Sequence, residues 1–142
     1  KHLANADAKI VGHNLCTPDD LLPVDRSLSP SAVFGYPPIA SVGLTEKEAQ
    51  DQGVSYVVAI RPFADTAYGW AMEDQKSFIK VLMDPLTRLL LGAHLIGPQS
   101  PSLIQQLIQG MSLGQTVDEM AKSQLYIHPA LPEVIEQALL EF

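Results

Sequence analysis

"SFIKVLMDPLTRLLLGAHLIG", residues 77–97, is the stretch that decides the fold. Two apolar, alternating runs lie on either side of Asp84-Pro85. A proline presets φ for a turn, and an aspartate side chain bonds the backbone just after it. The stretch therefore predicts a β-hairpin.

Working outward, the valine-rich "VSYVVAIRP" (54–62) reads as another strand. "SAVFGYPPIASVGLT" carries two short apolar runs broken by Pro37-Pro38, and these predict strands at 32–34 and 39–43. Thr45 with Glu48 makes a capping box, and Gly53 is placed to end the helix it starts. Beyond the hairpin the period changes. Pro101 opens a helix in which Leu103, Ile104, Leu107, Ile108 and Met111 share one face. Thr116 with Glu119 caps a short helix over "VDEMAKSQ", and Pro132 sits in the first turn of the last one, where a missing N–H costs nothing.

Strands in a block followed by helices predict an α+β fold: an antiparallel sheet of four or five strands with helices packed on one face. Residues 1–15 have helical spacing along Leu3, Ala6 and Ile10, and "CTPDDLLPVDRSLSPS" (16–31) reads as a linker. The expected division is a helix plus linker over 1–31 and the domain proper over 32–142. The opening at Lys1 resembles mid-helix sequence, so the chain is expected to be a piece of a longer protein.

Composition narrows the function. Of 142 residues 46% are hydrophobic, enough for a core, and nine basic against sixteen acidic residues give a net charge of -7. That balance argues against a nucleic-acid partner, which would need a basic face. No apolar run approaches the roughly 18 residues of a membrane-spanning helix. The single cysteine, Cys16, allows no internal disulfide and no CxxC site, which suits a reducing, cytoplasmic compartment. There is no GxGxxG, Walker A or HExxH motif, and His2, His13, His94 and His128 stand singly, so no metal site is expected. His94, inside an apolar strand, reads as a hydrogen-bonded structural histidine.

"HPALPE", His128 to Glu133, is different. An imidazole moves protons near neutral pH, but reliably only if one ring nitrogen is held and the other aimed at a substrate. A carboxylate accepting from Nδ1–H supplies that hold. On a straight helix residues i and i+5 stand about 140° apart, so the pairing needs the bent loop that Pro129 and Pro132 stiffen. On spacing alone a plainer reading stays open, in which Glu133 only favours the helix N-terminus.

"AVFGYPPIASVGLTEKEA", "LLLGAHLIGP" and "IHPALPEVIEQAL", in this order and spacing, resemble the C-terminal dimerisation domain of the FAD-dependent pyridine nucleotide-disulfide oxidoreductases. "KHLANADAKIVGHNL", "AYGWAMEDQ" and "YIHPALPEV" look most like its mycothione reductase branch. The resemblance runs from about Ala32 to Phe142. It implies that His128 and Glu133 are a catalytic acid–base pair contributed to the partner subunit's active site, with His128 protonating a thiolate leaving group and then activating a thiol. It implies that the backbone of His128 and Pro129 lies near the partner's flavin, and that Lys1 and His2 lie near the flavin pyrimidine. Ala130 and Pro132 stand where the family usually has threonine and serine, so the loop's hydrogen bonding should differ. FAD and NADPH would be held by domains upstream, with the redox cysteine pair, so the isolated chain should be inactive and bind no cofactor. The implied partners are a second copy in a homodimer, the FAD and NADPH domains of the same enzyme, and a small disulfide, mycothione. The competing reading is a non-catalytic, homodimerising interaction module. An independent His–Glu hydrolase lacks a serine in a recognisable nucleophile elbow.

Overall fold

The computed structural model describes residues 1–142. Its elements are α1 (His2–Cys16), β1 (Ser31–Val33), β2 (Ile39–Gly43), α2 (Glu46–Asp51), β3 (Val57–Pro62), a 3-10 turn (Phe63–Asp65), α3 (Ala67–Ala71), β4 (Phe78–Met83), β5 (Leu90–Ile96), α4 (Ser100–Ser112), α5 (Val117–Lys122) and α6 (Glu133–Leu139). The five strands form one sheet in the order β1-β2-β5-β4-β3, and every neighbouring pair is antiparallel. The β4–β5 hairpin, with Val81 opposite Ala93 and Ile79 opposite Leu95, is its centre. Asp84 closes the turn by accepting from the Leu86 N–H and the Thr87 hydroxyl, both at 2.8 Å.

Alternation along the strands decides which face is buried. Ala40, Val42, Ile79, Val81, Met83, Ala93 and Leu95 point to one side and join Leu103, Ile104 and Leu107 of α4 and Val134, Ile135, Ala138 and Leu139 of α6 in a single core. Helix α4 lies over β2 and β5, α6 over β3 and β4, and α5 beside α6. Both capping boxes form, at Thr45/Glu48 and Thr116/Glu119, so each of these two six-residue helices begins with two otherwise orphan N–H groups satisfied.

The opposite sheet face carries the row Ser41, His94 and Lys80, crossed by the segment leading into α2. Lys80 pairs with Glu46 at 2.7 Å. The Leu44 carbonyl can only accept, so His94 donates to it from Nε2 at 3.0 Å and takes the Ser41 hydroxyl on Nδ1 at 2.5 Å. Gly92 lets this crossing happen, because a side chain there would collide with the Leu44 backbone.

Strand β3 begins at Val57 rather than 54, because the Val54 N–H bonds the Ala49 carbonyl and finishes α2 instead of joining the sheet. The 3-10 turn and α3 have no counterpart in the sequence reading. Phe63, fully buried, anchors the turn, and Thr66 caps α3 on the Gly69 N–H. Helix α1 buries no residue. The segment after it folds back through a two-bond Arg26–Asp7 pair and a reciprocal Asn14–Leu22 contact. No helix is long and apolar enough to cross a membrane.

Candidate active site

The His128 loop is held at its downstream end by packing. Leu131 and Val134, 3% and 0% exposed, are driven into the core on either side of Pro132, which places Glu133 at the first turn of α6. The His128–Pro129 peptide bond is cis. From there the loop turns back over Glu133. One carboxylate oxygen, Oε1, lies 2.7 Å from His128 Nδ1, and the other, Oε2, accepts the Ala130 N–H at 2.8 Å. A single side chain thus holds two points of the loop that leads to it.

Because an ionised carboxylate only accepts, Nδ1 must carry the proton of this contact. The lone pair of the neutral ring is then on Nε2, which makes no hydrogen bond within the chain. The two side chains differ sharply in exposure: His128 is 68% accessible and Glu133 only 13%. The carboxylate is sheltered and the imidazole is presented. The Ala130 N–H, and after it the His128 ring, hold the Glu133 carboxyl below the usual carboxylate range. It therefore stays anionic through neutral pH. Such a pair can deliver a proton from Nε2 to an acceptor outside the chain and take one back.

Pro129 lies exposed in the same loop. Lys1 and His2 stand exposed at the start of α1, and neither joins the His128–Glu133 pair by a side-chain hydrogen bond. Cys16 is exposed at the end of α1. The contribution absent from the sequence reading is the Ala130 backbone N–H. Its spacing of three residues to Glu133 matches half of a capping box, which is the signal that could have found it.

Residues 29–139 match the family model described as pyridine nucleotide-disulphide oxidoreductase, dimerisation domain. The chain belongs to this family. Within the pyridine nucleotide-disulphide oxidoreductases it is 50% identical to mycothione reductase of Mycobacterium tuberculosis over 144 aligned residues, which cover 99% of this chain and 31% of that protein. It is 32% identical to the mitochondrial dihydrolipoyl dehydrogenase of Caenorhabditis elegans over 117 residues, 82% of this chain and 23% of that one. Among solved structures, the HOCl-induced flavoprotein disulfide reductase RclA from Escherichia coli superposes with a TM-score of 0.80 at 26% identity, over 95% of this chain and 31% of that one. The chain therefore spans less than a third of the curated relatives named here. The α+β fold with a five-stranded antiparallel sheet is that of this family's dimerisation domain.

Proposed function

We propose that the chain is the part of an FAD-dependent, NADPH-consuming mycothione reductase that carries the enzyme's dimer contact and its acid–base pair. The observation that carries the reading is the 2.7 Å contact between His128 Nδ1 and a sheltered Glu133, with the opposite ring nitrogen exposed and unbonded. The 50% identity to a mycothione reductase supports the choice of disulfide. The chain holds no glycine-rich phosphate loop and no cysteine pair, so FAD, NADPH and the redox dithiol are assigned to regions outside residues 1–142. The backbone of His128 and Pro129 would face the flavin of the partner subunit, with Lys1 and His2 near its pyrimidine side. A cytoplasmic, reducing location fits the single free cysteine.

The flavin, when bound, relays electrons from NADPH to the dithiol. What this chain adds is proton management. When an enzyme thiolate attacks a disulfide, a new S–S bond forms as a mixed disulfide, the old S–S bond breaks and the other sulfur leaves as a thiolate. The imidazolium of His128 gives its Nε2 proton to that sulfur, so a thiol departs rather than an anion. The now neutral ring later takes a proton from a second thiol, which makes it the nucleophile of the following exchange. Glu133 fixes the tautomer throughout and stabilises the imidazolium. Two copies would meet through α4 or the sheet beside it, which would bring each His128 to the other subunit's dithiol.

Rapid mixing tests this in the full-length enzyme. His128→Ala should slow oxidation of the reduced enzyme by disulfide roughly 10²–10⁴-fold, the usual worth of a positioned acid–base group. Reduction of the flavin by NADPH should be untouched, since that half-reaction needs no base here. Normal disulfide reduction by this variant would leave the chain a dimerising module and "HPALPE" a helix start.

A further inference from the structure

The segment that delivers His128 is poorly supported by its own backbone. From Gln124 to His128 no N–H bonds a backbone carbonyl; the last such bond before it is Ser123 to Glu119, and the next is Glu133 to Ala130. Leu125 and Ile127 are 99% and 76% exposed, so neither packs the segment down. Between them Tyr126 turns inward. Its hydroxyl donates to the Met120 carbonyl at 3.0 Å and accepts from Gln106 Nε2 at 2.8 Å and from Gln124 Nε2 at 3.2 Å. Gln124 Nε2 is also 3.0 Å from the same Met120 carbonyl. One phenol oxygen thus joins α4, the end of α5 and the approach to His128. Glu133 fastens the loop from the downstream side, and Tyr126 is its counterpart two residues upstream of the imidazole.

We infer that Tyr126, held by Gln106 of α4, is a positioning residue that sets where His128 stands relative to the partner's reacting sulfur. It touches no substrate. The inference rests on His128 being the acid–base group, and it ties that group's placement to α4. A rigid aromatic side chain satisfied at its hydroxyl is suited to this, because its two side-chain torsions leave little freedom once the ring is packed and the oxygen bonded.

The test uses the full-length reductase and four variants: Tyr126→Phe, His128→Ala, the double variant, and Gln106→Leu as a second way to release the hydroxyl. Tyr126→Phe keeps the ring and should leave the melting temperature and flavin reduction by NADPH nearly unchanged. It should slow the disulfide half-reaction about tenfold, the cost of a small misplacement of an acid–base group being of that order or larger. Gln106→Leu should move the same step in the same direction. In the His128→Ala background Tyr126→Phe should add nothing, since a residue acting through another is silent once that other is gone. Wild-type disulfide reduction by Tyr126→Phe, with His128→Ala slow, would overturn the inference and leave the base assignment standing. So would an equal loss in both backgrounds. Wild-type rates in His128→Ala would instead sink the base assignment, and this inference with it.

Discussion

Replacing Glu133 by glutamine is the sharpest probe of the site, because it changes neither volume nor shape. The carboxylate now accepts two bonds, from His128 Nδ1–H at 2.7 Å and from the Ala130 N–H at 2.8 Å. An amide has one oxygen to offer and must point its NH₂ at the other donor. If the oxygen stays with Ala130, the NH₂ faces Nδ1, which must become an acceptor. The neutral ring's proton then moves to Nε2, the atom that should be aimed at sulfur with a lone pair. If the oxygen stays with Nδ1–H, the Ala130 N–H loses its partner and the loop loses its second hold. Either way neither contact keeps an ionised acceptor and one of the two bonds is reversed or lost, and a hydrogen bond to a charged group is worth about 1.5–3 kcal/mol. At about 1.4 kcal/mol per decade that is a loss of roughly 10–150-fold, smaller than the loss expected on removing the ring altogether. Rapid mixing of the full-length enzyme should place the whole loss in disulfide reduction, and ¹H–¹⁵N spectra of the 142-residue chain should report either the His128 proton moved to Nε2 or the Ala130 N–H shifted by the loss of its partner. Unchanged disulfide reduction, with both the Nδ1–H tautomer and the Ala130 N–H signal unchanged, would refute this reading.

Leu107→Ala should destabilise the domain by about 2–5 kcal/mol, since Leu107 is fully buried between α4 and the sheet. For a chain of this length that is a fall of roughly 7–17 °C in melting temperature by calorimetry. The Glu48, Glu119 and Glu133 carboxyls are held below their ordinary range, each chiefly by a backbone N–H, from Thr45, Thr116 and Ala130. Their stabilisation is therefore complete above the unfolded value of about 4.3 and lost as pH falls through the lowered folded values. A pH series of thermal melts should drop on the acid side, and changing the three to glutamine should flatten that drop. The 142-residue chain alone should neither turn yellow with FAD nor consume NADPH; robust reductase activity from it would overturn the assignment of the electron path to other regions.

Local chemistry was legible and tertiary chemistry was not. The β4–β5 hairpin could be read because alternation and an Asp-Pro turn lie within one short stretch, and both capping boxes because their partners are three residues apart. The His128–Glu133 contact was suggested by spacing, but spacing alone also fits a plain helix start, and only the bent loop separates the two. The sequence extends β3 back to Val54, whose side chain suits a strand, but its N–H bonds the Ala49 carbonyl instead. The α3 region has no local sequence signal because its shape depends on Gly69 lying against the Phe63 carbonyl, where a side chain would not fit. The Tyr126 contacts are likewise tertiary, since Gln106 and Met120 come from two other helices.

The strand order carries a consequence for how the chain acquires its shape. Strands β4 and β5 are joined by one tight turn, and β3 is the next strand back in the chain. Strand β2, by contrast, meets β5 through Gly43↔Gly92 at one end and Ile39↔Ile96 at the other, across about 50 intervening residues. Closing so large a loop costs more entropy than closing a hairpin, so β2 should dock after the β3–β4–β5 ladder has formed. On a ribosome, β1 and β2 emerge first and must wait for β5 with Ala40 and Val42 uncovered. Refolding kinetics would show this as φ-values near zero for Val42→Ala and well above zero for Val81→Ala in the central hairpin, with the reverse ranking contradicting the proposed order.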